Sequence, residues 1–323
     1  MFHSFGTCRC LRRLCGGVSF IAPGPAPPVL RSQQFLGAVT DLEQMDGRIV
    51  AAIGHRIEVL DWTGRRLQAR HKFDGQDMIP ASLRARGKHL AASDFIHGVR
   101  LLHVVPERVV QDRLFPESLA QAGLHTGCMV PHAIEFLPGP EDAGITLVAS
   151  DALGCLHLFR QPPQAAGLFA QRMQHVGRFH LGAAVERLLS VPVPATTAAL
   201  HPAALLCAAL DGSVGVLSTL SAPAADLLRE LQRASTPRMV HAAGLHPSSH
   251  RGSEGRGPAP PTHGTFTEAP PPAHDSVVDG DLLGRFLSLP ASRRLAICAR
   301  AGVDAQEAVS LLEEIQRAWW AML

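Results

Sequence analysis

Tyrosine is absent from this chain, and aromatic residues of every kind make up only 5% of its 323 positions. That excludes a surface built from stacked aromatic platforms, the usual device for holding single-stranded nucleic acid. Charge of one sign is missing too: 30 Lys and Arg face 28 Asp and Glu, a formal net charge of +2. Whole-chain electrostatics therefore give no sign of a nucleic-acid binder. The cysteines number seven, an odd count, and Cys8, Cys10 and Cys15 crowd the N-terminus. This is not the disulfide framework of a small secreted domain and fits a reduced, intracellular chain. No later C-x-x-C supplies the remaining ligands of a zinc site.

Catalytic signatures are also lacking. The chain contains no G-x-x-x-x-G-K-[ST], G-x-G-x-x-G, H-E-x-x-H or G-x-S-x-G, so phosphate-loop, dinucleotide, zincin and serine-hydrolase chemistry have no foothold. Cys155 and His157 lie two apart on an expected strand and so point to one side. A Cys-His nucleophile also needs a low-pKa thiolate and an orienting third group. The sequence identifies no such group, and Cys155 reads as a small core residue. Asp279-Gly280-Asp281 could hold a metal, but a helix N-terminus attracts carboxylates without one. Arg65-Arg66 and Arg293-Arg294 are isolated basic pairs on solvated faces. No catalytic residue, cofactor or metal is expected, and an RNA contact through loop Arg and Lys is left open without a location.

The first 40 residues contain no acid but carry Arg9, Arg12, Arg13 and Arg31. That composition suits an organelle transit peptide or a stretch outside the folded domain at the start of a piece of a longer protein. The fold-like pattern begins near Phe35, which favours the second reading. Val191 to Leu210 is uncharged for 20 residues, nominally enough for a membrane span. Pro192, Pro194 and Pro202 break it, each costing about 3 kcal/mol inside a helix. A loop running into a strand is expected there, and no membrane segment.

What the chain does contain is a repeat. IVAAIGHRIEVLDW starts at Ile49, HLAASDFIHGVRLLHV at His89, ITLVASDALGCLHLFR at Ile145 and LLCAALDGSVGVLST at Leu205. Each is an apolar strand, a turn residue (Gly54, Asp94, Asp151 or Asp211) and a second apolar strand. Gly98, Gly154 and Gly212 accompany the three aspartates. Asp bonds its own backbone in turns and Gly supplies positive φ, so both belong at hairpin apices. The apices are 40, 57 and 60 residues apart; the first spacing is that of a propeller blade, and inserted loops account for the others. The expected fold is mainly β, a partial β-propeller of WD-like blades over residues 35–220, with a sandwich as the competing arrangement.

The period then changes. Ser221 to Ser235 carries Leu227, Leu228 and Leu231 on one side, with Ser221 as cap and Pro223 in the first turn. Residues 221–246 are read as helix and connection. The insert at 247–276, rich in Pro, Gly, Ser and His, lacks the apolar surface to offset ordering entropy and is expected to be disordered. Residues 277–323 form a small C-terminal α-helical domain of three helices. Asp279 and Asp281 sit where N-caps belong, Leu282, Leu283, Phe286 and Leu289 make an apolar stripe, and Pro290 ends the helix. A second helix, Ala291 to Ala301, stops at Gly302. Asp304 and Glu307 open a third, with Ala308, Leu311, Leu312, Ile315 and Trp319 on one face. Leu282, Phe286, Leu311, Ile315 and Trp319 are the candidate packing or interface residues, on the propeller or on a partner.

In order along the chain come LGAVTDLEQMDGRIVAAIGHRIEVLDW from Leu36, GRFHLGAAVERL from Gly177, LDGSVGVL from Leu210, MVHAAGLHPSSHRG from Met239 and VVDGDLLGRFLSLP from Val277. Together they resemble the C-terminal region of a propeller scaffold family. It includes the largest subunit of the cleavage and polyadenylation specificity factor, the splicing factor 3B propeller subunit and the large subunit of the damage-specific DNA-binding complex. The His180 and His241 segments favour the polyadenylation branch. The resemblance implies a non-enzymatic, nuclear scaffold in pre-mRNA 3′-end processing, assembled with other polyadenylation-factor subunits in a hetero-oligomer. A splicing or ubiquitin-ligase adaptor on the same fold, and an enzyme using propeller loops, are the alternatives. The chain is much shorter than full-length members, and its Pro/Gly-rich insert interrupts a region they keep ordered.

Overall fold

The structure, a computed structural model, describes residues 16–21, 29–74, 78–105, 108–110, 113–115, 118–125, 131–140, 144–161, 173–194, 197–239 and 277–322. The insert at 247–276, the His241 segment and Cys8, Cys10 and Cys15 lie outside these residues. The fold is mainly β, a partial β-propeller followed by a helical region, and it divides into two compact units.

The first unit comprises residues 1–134 with 166–172. Strands β1 (Gly17–Ile21) and β2 (Val29–Gln34) pair with each other. Next come β3 (Val39–Met45), β4 (Arg48–Ile53), β5 (Arg56–Trp62) and β6 (Leu67–Asp74), a four-stranded antiparallel sheet in chain order. The second blade is β7 (Pro80–Arg86), β8 (His89–Asp94), β9 (Gly98–Val105) and β12 (Ser118–His125). A small hairpin of β10 (Arg108–Val110) and β11 (Arg113–Phe115) is inserted before its last strand. The middle strands are buried on both faces, so they read as near-continuous apolar runs rather than alternating ones. Val50, Ala52, Ile57 and Val59 of one sheet share a core with Leu83, Leu90, Ala92 and Leu102 of the other. First strands of the two blades meet through polar groups: Thr40 Oγ1 donates to the Pro80 carbonyl at 2.7 Å, and the Leu83 N–H donates to Asp41 Oδ2 at 2.8 Å.

Regular structure begins earlier than residue 35, the boundary expected from the sequence. Val18 is buried in a core with Ala51, Ile53, Leu60 and Leu67. The Gln33 side-chain amide copies a strand ladder, donating to Leu67 O at 3.0 Å and accepting from Leu67 N at 2.8 Å. Those bonds tie β2 to β6, a non-local pairing that composition does not reveal.

The second unit comprises Glu135–Ala165 with Met173–Leu323. Its first sheet is β13 (Pro131–Phe136, which straddles the unit boundary), β14 (Ile145–Asp151), β15 (Cys155–Gln161) and β16 (Gln174–His180). Its second sheet has, among the described residues, three strands: β17 (Val185–Pro192), β18 (Leu200–Ala209) and β19 (Val214–Leu220). The Ser150 hydroxyl donates to the Val185 carbonyl at 2.6 Å, linking the two sheets. Gly154 has φ +78° and lies so close to the Ala183 backbone that a Cβ would sit 3.0 Å from its nitrogen, which is why glycine stands at this apex. The other expected apices hold likewise: Gly54, Gly98 and Gly212 all have positive φ. Within 191–210 the described residues include the end of β17 and then β18, and among the described residues no helix is long and apolar enough to cross a membrane.

Among the described residues four α-helices follow: α1 (Ala222–Ser235), α2 (Gly280–Leu287), α3 (Ala291–Ala301) and α4 (Ala305–Trp320). Ser221 occupies the N-cap of α1, but its hydroxyl caps nothing. Pro223, at the second helical position, has no N–H there for the hydroxyl to accept. Asp279 alone caps α2, and Asp281 lies in its first turn. Gly302 ends α3 at φ 68°, and Asp304 caps α4 through the Gln306 and Glu307 N–H groups.

Candidate interaction site

The helical region is assembled around its capping residue. The Asp279 carboxylate accepts from the N–H groups of Asp281 at 3.0 Å and Leu282 at 3.1 Å, while its own N–H donates to Gln232 Oε1 on α1 at 2.7 Å. The start of α2 is thereby fixed to α1. Gly280 then lies against the Trp319 ring of α4: a Cβ there would be 2.8 Å from Cη2. Trp319 in turn donates its indole N–H to Ser218 Oγ of β19 at 3.0 Å.

Of the five residues singled out in the sequence, Leu282, Phe286 and Ile315 are buried, and Leu311 and Trp319 are half-buried. Phe286, Ile315, Leu311 and Trp319 contribute to one apolar core with Leu228, Leu231, Ile297 and Leu312, and that core extends to Leu200 and Ala204 of β18. Full burial of a Phe or Ile side chain contributes about 1.5–3 kcal/mol. Leu295 and Trp320 of the module are exposed, at 59% and 74%.

Between the helical module and the outer strands lies a cleft of about 890 Å³. Leu158 and Phe179 of the first sheet, Val216 of β19, and Leu283, Ile315 and Trp319 of the helices all line it. It is an apolar groove, suited to a side chain or an extended segment rather than to acid–base chemistry.

A second cluster centres on the β14–β15 turn. Asp151 Oδ1 accepts from the N–H groups of Leu153 at 2.9 Å and Cys155 at 2.8 Å, and Oδ2 meets His157 Nε2 at 2.9 Å. His157 Nδ1 lies 3.3 Å from His175 Nε2. Cys155 Sγ contacts His180 Nδ1 at 3.3 Å and receives an Arg178 N–H at 3.1 Å. Asp151, Cys155 and His157 place their donor atoms within 4.8 Å of one another, the span of a metal-ligand set. Each donor already has a protein hydrogen bond, however, and the Arg178 guanidinium beside Sγ repels a second cation. Burial, opposed by Arg178, leaves the Cys155 thiol above its ordinary pKa, the reverse of what a nucleophile needs. Burial also works against ionisation of Asp151, but the bonds from His157, Cys155 and Leu153 outweigh it and hold the carboxyl below its usual value. The cluster pins a turn. Its third group, absent from the sequence reading, is Asp151. The signal for it was the Asp94–Arg100 pair at 3.0 Å in the preceding hairpin, which has the same six-residue spacing.

Residues 28–288 match the CPSF A subunit region. The chain belongs to that family. The matched span starts just before β2 and ends at Ser288, the C-cap of α2, so it includes the cleft walls formed by β15, β16 and β19. The chain is 23% identical over 293 residues to the probable cleavage and polyadenylation specificity factor subunit 1 of Oryza sativa subsp. japonica, covering 88% of this chain and 19% of the relative. Subunit 1 of Arabidopsis thaliana is 24% identical over 273 residues, covering 84% of this chain and 18% of the relative. DNA damage-binding protein 1 of Solanum lycopersicum is 21% identical over 308 residues, with 92% and 26% covered. The chain thus spans about a quarter or less of the length of these relatives.

Proposed function

We propose that this chain is a non-catalytic scaffold module of a nuclear pre-mRNA 3′-end cleavage and polyadenylation complex, held by other polyadenylation-factor subunits. The observation that carries the reading is the family match over residues 28–288, together with relatives named as subunit 1 of the cleavage and polyadenylation specificity factor. The surfaces fit such a role: an apolar cleft, exposed apolar side chains at Leu295 and Trp320, and a polar cluster whose thiol is raised rather than activated. An RNA contact through loop arginines and lysines belongs to the same proposal. The match to DNA damage-binding protein 1 over 92% of the chain keeps a sister complex as the second reading.

The test is affinity purification of the tagged chain from nuclear extract, read by mass spectrometry, beside Phe286→Asp and the surface variants Leu295→Arg and Trp320→Glu. Recovery of polyadenylation subunits, lost in Phe286→Asp, is the expected result. Recovery of splicing or ubiquitin-ligase subunits instead moves the chain to a sister branch. Loss in a surface variant that still folds locates the contact at an exposed residue of the helical module rather than in its core.

A further inference from the structure

Among the described residues the second sheet of the second unit has three strands, whereas the other principal sheets have four. Its edge strand is β19, and the backbone there has a definite polarity. The Ala209 N–H donates to the Ser213 carbonyl at 3.0 Å, which makes 209–213 a hydrogen-bonded pair. Antiparallel pairs alternate, and the register runs Ala208 with Val214, Cys207 with Gly215, Leu206 with Val216, Leu205 with Leu217 and Ala204 with Ser218. Gly215 and Leu217 therefore bond inward to β18, while Val214, Val216 and Ser218 turn their N–H and C=O groups outward. Among the described residues those groups have no backbone partner.

This edge opens into the cleft rather than onto bulk solvent. One wall is Leu158, Val176 and Phe179 of the neighbouring sheet, and the other is Leu283, Ile315 and Trp319 of the helices. A strand laid along β19 would send successive side chains to opposite faces, and apolar wall waits on each. Folded proteins ordinarily cover or blunt such an edge, yet β19 carries neither proline nor charge. The cleft is also polarised. Thr219 donates its hydroxyl to Pro138 O, and Leu137 N donates to Thr146 O at 2.9 Å. Arg160, paired in register with Thr146, therefore stands at the Leu220 end. It is exposed and makes no ion pair among the described residues. Arg229, on the helix that follows β19, also lines the cleft, bonded to Asp226 at 3.0 Å. Of the cleft's two carboxylates, Asp279 is occupied in capping and Asp281 belongs to the same helix start.

We propose that β19 accepts a fourth strand from a partner protein, an extended segment led by acidic residues and followed by about five apolar, β-prone ones. An antiparallel strand would begin beside Leu220, where Arg160 meets the acidic lead, and finish beside Val214. Main-chain bonds supply the affinity and the two apolar walls the selectivity. The site stands on this geometry whichever complex recruits the chain.

The probe is the fluorescein-labelled peptide Asp-Glu-Glu-Val-Val-Ile-Val-Thr, titrated into the full chain by fluorescence anisotropy. Its twin has every apolar backbone nitrogen methylated. Val216→Pro removes an outward N–H and leaves the β18 side intact, a position where edge strands tolerate proline; circular dichroism confirms its fold. Saturable binding is expected, weakened at least about tenfold by methylation and by Val216→Pro, and about threefold by Arg160→Glu. Amide exchange at Val216 and Ser218 should slow on binding. Equal binding of the methylated twin overturns the proposal, as does no binding to the folded chain. Protection of both amides without peptide overturns it too, because the chain then fills its own edge.

Discussion

The indole Nε1 of Trp319 donates to Ser218 Oγ at 3.0 Å, joining the last helix to the last strand across 101 residues of sequence. The same ring lies over Gly280 at the start of α2. One side chain thus sets the separation of two helices and a strand, and with it the width of the cleft. Val216 and Leu220 of β19 pack on the helical core on this side of the sheet.

Gly280→Ala should therefore destabilise the chain. In an open helix position the change gains up to about 1 kcal/mol, but here the new Cβ would stand 2.8 Å from Trp319 Cη2. Overpacking of this kind costs about 1–3 kcal/mol. Adding Trp319→Leu should recover part of that loss, with a coupling of at least about 0.5 kcal/mol in a double-mutant cycle from urea midpoints. A Gly280→Ala chain more stable than wild type would mean the ring does not sit over residue 280.

Phe286→Ala and Leu295→Ala test how the helical module is held. Phe286 is fully buried among α1, α3 and α4 residues, whereas Leu295 is 59% exposed. The first substitution should cost about 3–5 kcal/mol and the second under about 0.5 kcal/mol, read from denaturant midpoints by circular dichroism. Similar losses would place Phe286 outside the core.

Much of this arrangement was legible in the residues. The apices at Gly54, Asp94, Asp151 and Asp211 are local chemistry, since Asp and Gly make turns through their own backbone. The bounds of α3 and the caps at Asp279 and Asp304 are local too, and they coincide with the structure. What escaped the reading joins distant residues. Gln33 reaches Leu67, Asp151 opens a chain through His157 to His175, and Trp319 reaches Ser218. None of these has a periodic signature. The open edge of β19 was hidden for the same reason, because strand number within a sheet depends on pairings that the chain makes far away.

Cys207 should be inert to alkylation. It lies on β18, buried, and burial pushes its thiol up to about 12. At pH 8 the thiolate fraction is then on the order of one in ten thousand, and the thiolate is the reactive form. Iodoacetamide should leave the Cys207 peptide unmodified in the native chain and label it fully in guanidinium, as read by mass spectrometry. Rapid native labelling would show that this face of β18 opens to solvent.

Asp94 should make the chain acid-sensitive. The residue is fully buried at the β8–β9 turn. Burial works against its ionisation, but N–H groups of Ile79 and Ile96, the Arg100 guanidinium and His97 outweigh that and hold its pKa below the ordinary carboxylate value. A depressed carboxylate contributes stability that is fully present above the unfolded pKa of about 3.9 and is lost as pH falls through the lower folded value. Asp94→Asn keeps the shape but aims a neutral amide at the Arg100 guanidinium, so stability at pH 7 should fall. The variant should also lose less between pH 5 and 2 than wild type. Asp211, whose pKa is lowered through Ser213 alone among side chains and which lies fully exposed, is the control: Asp211→Asn should leave the pH profile close to wild type. Urea midpoints measured by circular dichroism from pH 2 to 7 separate the two, and parallel wild-type and Asp94→Asn curves would show that Asp94 is not the group being protonated.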